Sequence, residues 1–273
     1  MRIGLLLSLL TVTISTSAQQ YGNNAAAGHY LDTRGIRLYY ESYGQGEPLL
    51  LFHGNGGSIN NMSNQIGYFS PHYHVIAIDT RAHGKSHDPG DSLSFEMIVD
   101  DFNALCDSLH LDSCYVIGWS DGGIDAILFA LRHPGKVKKM AFTGANLWPD
   151  TTGLTPFVFD LMQKEHDNLS KKAMTAENKN ALKIVDLDLY QPHITLDQLH
   201  KINCPTLVIG GDHDVIPVLH TVQIALNIPI SYLWIVPNSG HSVPIFKKDA
   251  FNNQIETFFT HPYRKIEGIA TFQ

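Results

Sequence analysis

Ser120 has the local setting of an activated nucleophile. The segment GWSDGG (118–123) places glycines two residues before and two residues after this serine. Glycines permit a tight turn that a Cβ atom would obstruct. The apolar run before the serine is typical of a buried strand, and apolar residues follow it at helical spacing. Strand, sharp turn and helix are the setting of a Gly-X-Ser-X-Gly nucleophile, although a plain loop is the alternative interpretation.

A serine nucleophile needs a histidine base and an acid that orients the histidine. His241 follows one apolar run in NSGHSV, and two acids, Asp212 and Asp214, follow another in GGDHDVIP. All three lie at the ends of predicted strands. We therefore predict a catalytic set of Ser120, His241 and one of these two acids.

The glycine-rich segment HGNGG (53–57) ends another predicted strand. Glycine-rich loops expose backbone N–H groups, and two such groups can stabilise the oxyanion of an acyl transfer reaction. We expect the amides of Asn55 and Asp121 to form this pair. The alternative, a phosphate-binding loop, would be followed by Gly-Lys-Ser/Thr, which this segment lacks.

The elements that must position these residues alternate along the chain. Two predicted strands around Arg34 and Gly35 indicate an antiparallel hairpin. Short apolar runs then alternate with helical patterns, of which 94–110 is the clearest, and a closing helix is expected near the end. This alternation predicts an α/β protein with a mostly parallel, doubly wound sheet. We assign 28–147 and 197–273 to the two parts of its core.

The segment 148–196 interrupts this alternation of predicted strands and helices. It is polar and helical in composition, and it contains no buried strand pattern. We interpret it as a helical cap over the strand ends that selects the substrate. Trp148, Phe157 and Phe159 are candidates for an acyl pocket, with Trp148 as a predicted substrate-binding residue, and packing within the cap is the alternative.

The first residues indicate export. Residues 1–18 combine one basic residue, a short apolar stretch and small residues ending at Ala18, which is typical of a secretory signal peptide. We predict a secreted or periplasmic protein with a flexible leader over 19–27. A membrane anchor is the alternative, but hydroxyl side chains interrupt the apolar stretch and it is too short to span a bilayer.

Composition limits the partners. The formal net charge of −7 becomes −8 after loss of Arg2, so no basic excess favours nucleic acid or anionic lipid. A small-molecule partner is expected, and the sequence specifies no oligomeric state. The 15 histidines show no metal-ligand spacing, so we predict no metal and no cofactor. Three cysteines make no disulfide framework; Cys106 and Cys114 could pair, or all three could be buried thiols.

Five segments, HGNGG, IDTRAHGKS, GWSDGG, GGDHDVIP and NSGHSV, resemble the α/β-hydrolase fold family in content and in order, over about residues 28–262. The resemblance implies the α/β-hydrolase fold, with an eight-stranded sheet and a small helical cap. It also implies that Asp214, rather than Asp212, is the acid of the triad. Ala82 stands where the family usually has glycine, a difference expected to affect a turn and not the chemistry.

Within the family, GWSDGG and FTGAN are similar to the valacyclovir hydrolase type, which cleaves amino acid esters. This resemblance implies that Asp121 binds the amino group of the substrate. A carboxylate beside the reacting centre would favour a cationic substrate. The alternative is that Asp121 caps the helix that begins at residue 122.

Together these features predict a secreted serine hydrolase that cleaves a small-molecule carboxylic ester through an acyl-enzyme intermediate. Other reactions share the same triad, namely C–C bond hydrolysis, perhydrolysis, acyl transfer and amino-terminal peptide cleavage. A protein that keeps the fold to sense a ligand is the alternative from a different class.

Overall fold

One eight-stranded sheet organises the chain, and the computed structural model describes residues 20–265. The strand order is β1-β2-β4-β3-β5-β6-β7-β8. Strands β1 (Gly28–Thr33) and β2 (Ile36–Tyr43) form the predicted antiparallel hairpin, and β2 pairs antiparallel with β4. All other neighbours are parallel. The remaining strands are β3 (Glu47–Phe52), β4 (Tyr73–Asp79), β5 (Cys114–Trp119), β6 (Val137–Thr143), β7 (Thr206–Gly211) and β8 (Ser231–Val236).

Helices connect the parallel strands, as the alternating pattern predicts. The segment 94–110 contains α2, whose first turn is capped by the Ser94 hydroxyl, which accepts a hydrogen bond from the Met97 N–H. The nine α-helices of the described part of the chain are α1 (Ser63–Phe69), α2 (Phe95–Ser108), α3 (Asp121–Arg132), α4 (Pro156–Ser170), α5 (Ala176–Tyr190), α6 (Leu196–Leu199), α7 (Val218–Asn227), α8 (Val243–Phe246) and α9 (Lys248–Thr260).

The sheet is covered on both faces. Alternate residues of β3 contribute to two separate apolar clusters: Leu50 and Phe52 to one, Leu49 and Leu51 to the other. All four side chains are fully buried. Side chains alternate between the two faces of a strand, so a continuous apolar run is expected where helices cover both faces. The predicted doubly wound architecture is therefore confirmed.

The stretch before β1 is held by Glu41, a fully buried residue of β2. Its carboxylate accepts hydrogen bonds from the N–H groups of Gly22 (2.7 Å) and Asn24 (2.8 Å) and from the hydroxyls of Tyr39 and Tyr43. These contacts fix residues that the sequence predicts as a flexible leader, because a buried carboxylate without such donors would be costly. The predicted signal peptide, 1–18, lies outside the described residues.

The predicted cap segment contains α4 and α5, which pack against each other. All three cysteines are free, buried thiols, so Cys106 and Cys114 are not paired in this structure. Within residues 20–265, no helix is long and apolar enough to cross a membrane.

Candidate active site

Ser120 occupies a strained turn between β5 and α3. Its φ of 60° and ψ of −120° are values that non-glycine residues seldom adopt. The neighbouring glycines make the turn possible, since a Cβ on Gly118 would lie 2.0 Å from the carbonyl oxygen of Gly122. A Cβ on Gly122 would lie 2.1 Å from the carbonyl oxygen of Phe52. The two glycines therefore let α3 approach the sheet and present the serine at the strand end.

The structure brings His241 and Asp214 to Ser120. The His241 Nε2 atom lies 2.9 Å from the Ser120 Oγ, and its Nδ1 atom lies 2.7 Å from the Asp214 Oδ1. The Asp214 side chain is fully buried and also accepts hydrogen bonds from the backbone N–H groups of Gly211 and Ile216. A carboxylate in this position fixes the histidine with Nδ1 protonated and leaves Nε2 free to take a proton.

Asp212, the competing acid, forms no hydrogen bond or ion pair with His241. Its carboxylate accepts hydrogen bonds from the backbone N–H groups of Ser239 and Asn238, both at 2.9 Å. These hydrogen bonds hold the pKa of Asp212 well below its usual range. Asp212 thus supports the loop that carries His241, while Asp214 contacts the ring itself.

Two further residues hold His241, and the sequence reasoning did not identify either of them. The Trp119 indole N–H donates a hydrogen bond to the His241 carbonyl oxygen at 3.0 Å. Gly144, at φ 72°, faces the imidazole, and a Cβ there would lie 2.7 Å from the His241 Cε1. Their positions in GWSDGG and FTGAN were the only available sequence signal.

The HGNGG loop lies against the nucleophile, because a Cβ on Gly54 would lie 2.9 Å from the Ser120 Cβ. The following residue is Asn55, whose side-chain amide donates to the Asp121 Oδ2 (3.0 Å) and to the Ile184 carbonyl oxygen (3.1 Å). Asp121 is the first residue of α3, where backbone N–H groups have no partner within the helix. The loop and the helix start therefore flank the serine, as an oxyanion site requires.

His53 stabilises this loop. Its Nδ1 donates to the Gly54 carbonyl oxygen (2.8 Å), and its Nε2 accepts from the Thr80 N–H (3.1 Å). Burial lowers the pKa of His53 to about 4, so the ring is neutral near pH 7 and serves as a structural link.

Comparisons with known proteins agree with this geometry. Residues 47–169 match the family model described as alpha/beta hydrolase fold. The chain is 25% identical to human serine hydrolase BPHL, over 94% of this chain and 96% of that protein. It is also 25% identical to 3-oxoadipate enol-lactonase 2 of Acinetobacter baylyi, over 84% of this chain and 96% of that protein.

Among solved structures, Est816, described as an N-acyl homoserine lactone degrading enzyme, superimposes with a TM-score of 0.68 at 25% identity. That match covers 84% of this chain and 100% of Est816. The chain therefore has the α/β-hydrolase fold. It is a hydrolase, and its relatives include proteins named as a serine hydrolase, an enol-lactonase and a 2-hydroxy-6-oxononadienedioate hydrolase.

A cavity of about 230 Å³ adjoins Ser120. Ser120, His241, Asp121 and Asp188 line this cavity. The other residues that line it are Asn146, Leu154, Val158, Met162, Val215 and Ile216. The lining of the cavity therefore combines two acids with mostly apolar side chains.

The structure does not bring Trp148 to this cavity, which corrects the predicted substrate-binding role. The indole N–H of Trp148 donates to the Thr152 hydroxyl at 2.6 Å, and its ring packs edge-on against His220 at 4.8 Å. Phe157 is 76% exposed and Phe159 is half-buried, and neither lines the cavity. Helical periodicity decides which residues of α4 face inward, and it selects Val158 and Met162, one turn apart.

Asp188, in α5, is a site residue that sequence reasoning missed. Its carboxyl group lies within hydrogen-bonding reach of the Asp121 carboxyl group and of the Asn55 side chain. Burial and the neighbouring Asp121 carboxyl raise the pKa of Asp188 well above its usual range, and burial also raises the pKa of Asp121. Within residues 20–265, no group of three or more His, Cys, Asp or Glu side chains could hold a metal ion.

Proposed function

We propose that this hydrolase cleaves a small-molecule carboxylic ester through an acyl-enzyme intermediate, with Ser120 as nucleophile, His241 as base and Asp214 as the orienting acid. The observation that carries the proposal is the continuous chain of contacts, 2.9 Å from Ser120 Oγ to His241 Nε2 and 2.7 Å from His241 Nδ1 to Asp214. The strained backbone of Ser120 at the mouth of an apolar cavity supports the same role.

In the proposed reaction, His241 Nε2 takes the Ser120 hydroxyl proton as Oγ attacks the ester carbonyl carbon. The backbone amides of Asn55 and Asp121 donate to the resulting oxyanion. The C–O bond to the leaving alcohol then breaks, and His241 returns the proton to that oxygen. Water attacks the acyl-enzyme by the same route, releasing the carboxylic acid and restoring the serine.

An amino acid ester is the proposed substrate class. The Asp121 carboxyl adjoins the nucleophile, and the valacyclovir hydrolase-type resemblance implies that it binds an amino group. Asp121 also begins α3, where an acidic side chain favours the helix dipole. The two roles are compatible, because one oxygen of the carboxyl can interact with the ligand while the helix start benefits from the charge.

A lactone, which is a cyclic ester, is the second candidate substrate. Relatives named as an enol-lactonase and an N-acyl homoserine lactone degrading enzyme favour it. C–C bond hydrolysis, suggested by a relative named 2-hydroxy-6-oxononadienedioate hydrolase, is a further alternative on the same triad. Perhydrolysis, amino-terminal peptide cleavage and ligand sensing stay open as well.

The first experiment is intact mass measurement after incubation with a fluorophosphonate, with Ser120→Ala as the matched control. A single adduct on the wild type and none on the variant is expected, because only an activated serine reacts at an appreciable rate. A folded wild-type protein without an adduct would contradict the proposal and favour the ligand-sensing alternative.

We also propose that the protein is exported and that the mature chain begins at Gln19. The composition of residues 1–18 supports this proposal. Mass measurement of the protein recovered from the medium or periplasm tests it, and an uncleaved chain confined to the cytoplasm would contradict it.

A further inference from the structure

The Asp121–Asp188 carboxyl pair joins the catalytic core to the cap. Asp121 begins α3, directly after the nucleophile, whereas Asp188 lies in the last turn of α5. One helical turn before Asp188, the carbonyl oxygen of Ile184 accepts a hydrogen bond from the Asn55 side chain. Residues four apart lie on the same face of a helix. The helix face that Asn55 contacts at Ile184 is therefore also the face from which Asp188 reaches the cavity.

The described residues that line the cavity include no permanently charged cation that could pair with Asp121 and Asp188. No lysine or arginine is among the residues that line it in the described part of the chain. The lysine nearest in sequence, Lys183, is buried and bound to Asp88 at 2.6 Å. His83 is close enough to influence Asp121, but burial lowers its pKa to about 4, so it carries no charge near pH 7. His241 also faces Asp121 and is engaged with Asp214.

A third acid is buried in this region in its neutral form. Asp125, one turn after Asp121 in α3, is only 1% exposed, and its Oδ1 atom has no hydrogen-bond partner among the described residues. Burial and the nearby Asp121 raise its pKa well above the usual range, so Asp125 holds its proton. The region thus gathers three carboxyl groups beside an otherwise apolar cavity.

We propose that Asp121 and Asp188 together bind the ammonium group of the substrate, and that Asp188 of the cap is a specificity-determining residue. In the free enzyme Asp188 is the carboxyl that keeps a proton, which leaves a single negative charge on Asp121. A primary ammonium group displaces that proton to solvent, so that its three N–H donors face two carboxylates. The apolar wall formed by Val158 and Met162 then accommodates a small side chain. This inference rests on the proposed ester hydrolysis.

The competing explanation is that the Asp121–Asp188 pair has a purely structural role. The substitution Asp188→Asn distinguishes this role from ammonium binding. Asparagine keeps the size of the side chain and donates a hydrogen bond to Asp121, but it cannot become charged. Asp186→Asn is the matched control, since Asp186 lies in the same helix and faces His166 at 3.5 Å rather than the cavity.

The decisive measurement compares kcat/KM for L-alanine benzyl ester with that for benzyl propionate, which differs only by the amino group. In Asp188→Asn we expect kcat/KM for the amino ester to fall about 30-fold and that for the propionate to change less than about 2-fold. Asp186→Asn should leave both unchanged. Equal losses for the two esters in Asp188→Asn, or no loss for either, would overturn the proposal.

A binding measurement keeps this inference separate from the proposed ester hydrolysis. With the Ser120→Ala variant, alaninamide should raise the melting temperature, because a ligand that binds the folded state stabilises it, and propionamide should not. Adding Asp188→Asn should remove most of that shift. If the wild type gives no fluorophosphonate adduct but alaninamide still stabilises through Asp188, the ester proposal fails and the ammonium site stands. If alaninamide and propionamide behave alike, the ammonium site fails.

Discussion

The strand-end loops of the core and the two helices of the cap build opposite sides of the same cavity by different means. Ser120, Asp214 and His241 follow β5, β7 and β8, and the parallel neighbours of these strands fix their ends. The cap side is held by polar contacts between helices and loops. Strand pairing therefore fixes the core side of the cavity, whereas side-chain contacts fix the cap side.

The two cap helices also differ from each other. α5 is fixed to the core by several side-chain contacts, whereas Leu169 is the one buried residue of α4. The contacts that hold α5 or its end include Asn180 to Ala82, Lys183 to Asp88, Asn55 to Ile184 and Gln191 to Leu93. Asp188 therefore lies on α5, the helix that is anchored to the core. Val158 and Met162, the apolar cavity residues of the cap, lie on α4, the more exposed helix.

The largest expected effect is on kcat and concerns the core side of the cavity. It compares Asp212 and Asp214, two acids in the loop that follows β7. Asp214→Asn should lower kcat by about 10³- to 10⁴-fold, because the amide no longer fixes the imidazole in the reactive tautomer. Asp212→Asn should lower it far less, since Asp212 contacts the loop and not the ring. Ester hydrolysis by the two purified variants measures this contrast. Similar losses in both would show that loop position, rather than contact with His241, controls the rate.

The next effect concerns the anchored helix of the cap. Lys183→Met should reduce the free energy of unfolding by about 3 kcal/mol, the lower end for breaking a buried ion pair. We expect a loss at the lower end of this range because the Asp88 carboxylate keeps its ion pair with Arg81 at 3.2 Å. Lys179→Met, one turn earlier, removes an exposed pair with Asp91 and should cause no measurable change. Urea unfolding of both variants tests the difference, and equal stabilities would mean that the Lys183–Asp88 pair does not anchor α5.

The same comparison explains which features could be predicted from the sequence. Buried strands, the hairpin and Ser120 leave local signals, because apolar runs and paired glycines reflect constraints within a few residues. Asp188 leaves none, because its role depends on how α5 docks 67 residues after Asp121, and an acid on a polar helix resembles any solvated acid. Trp148 was misassigned for the same reason, since aromatic character indicates burial but not the cavity to which a side chain belongs.

The smallest effect concerns the exposed helix of the cap and tests whether its inner and outer faces are assigned correctly. Phe157→Ala should change the free energy of unfolding by less than about 0.5 kcal/mol, because the side chain is 76% exposed. It should also leave KM unchanged. Val158→Ala, its neighbour on the cavity wall, should raise KM a few-fold for esters with a branched acyl group, since it removes apolar contact area. If the Phe157 variant raises KM as much as the Val158 variant, α4 must turn or close over the substrate during catalysis. The cap would then contain a moving helix beside a fixed one.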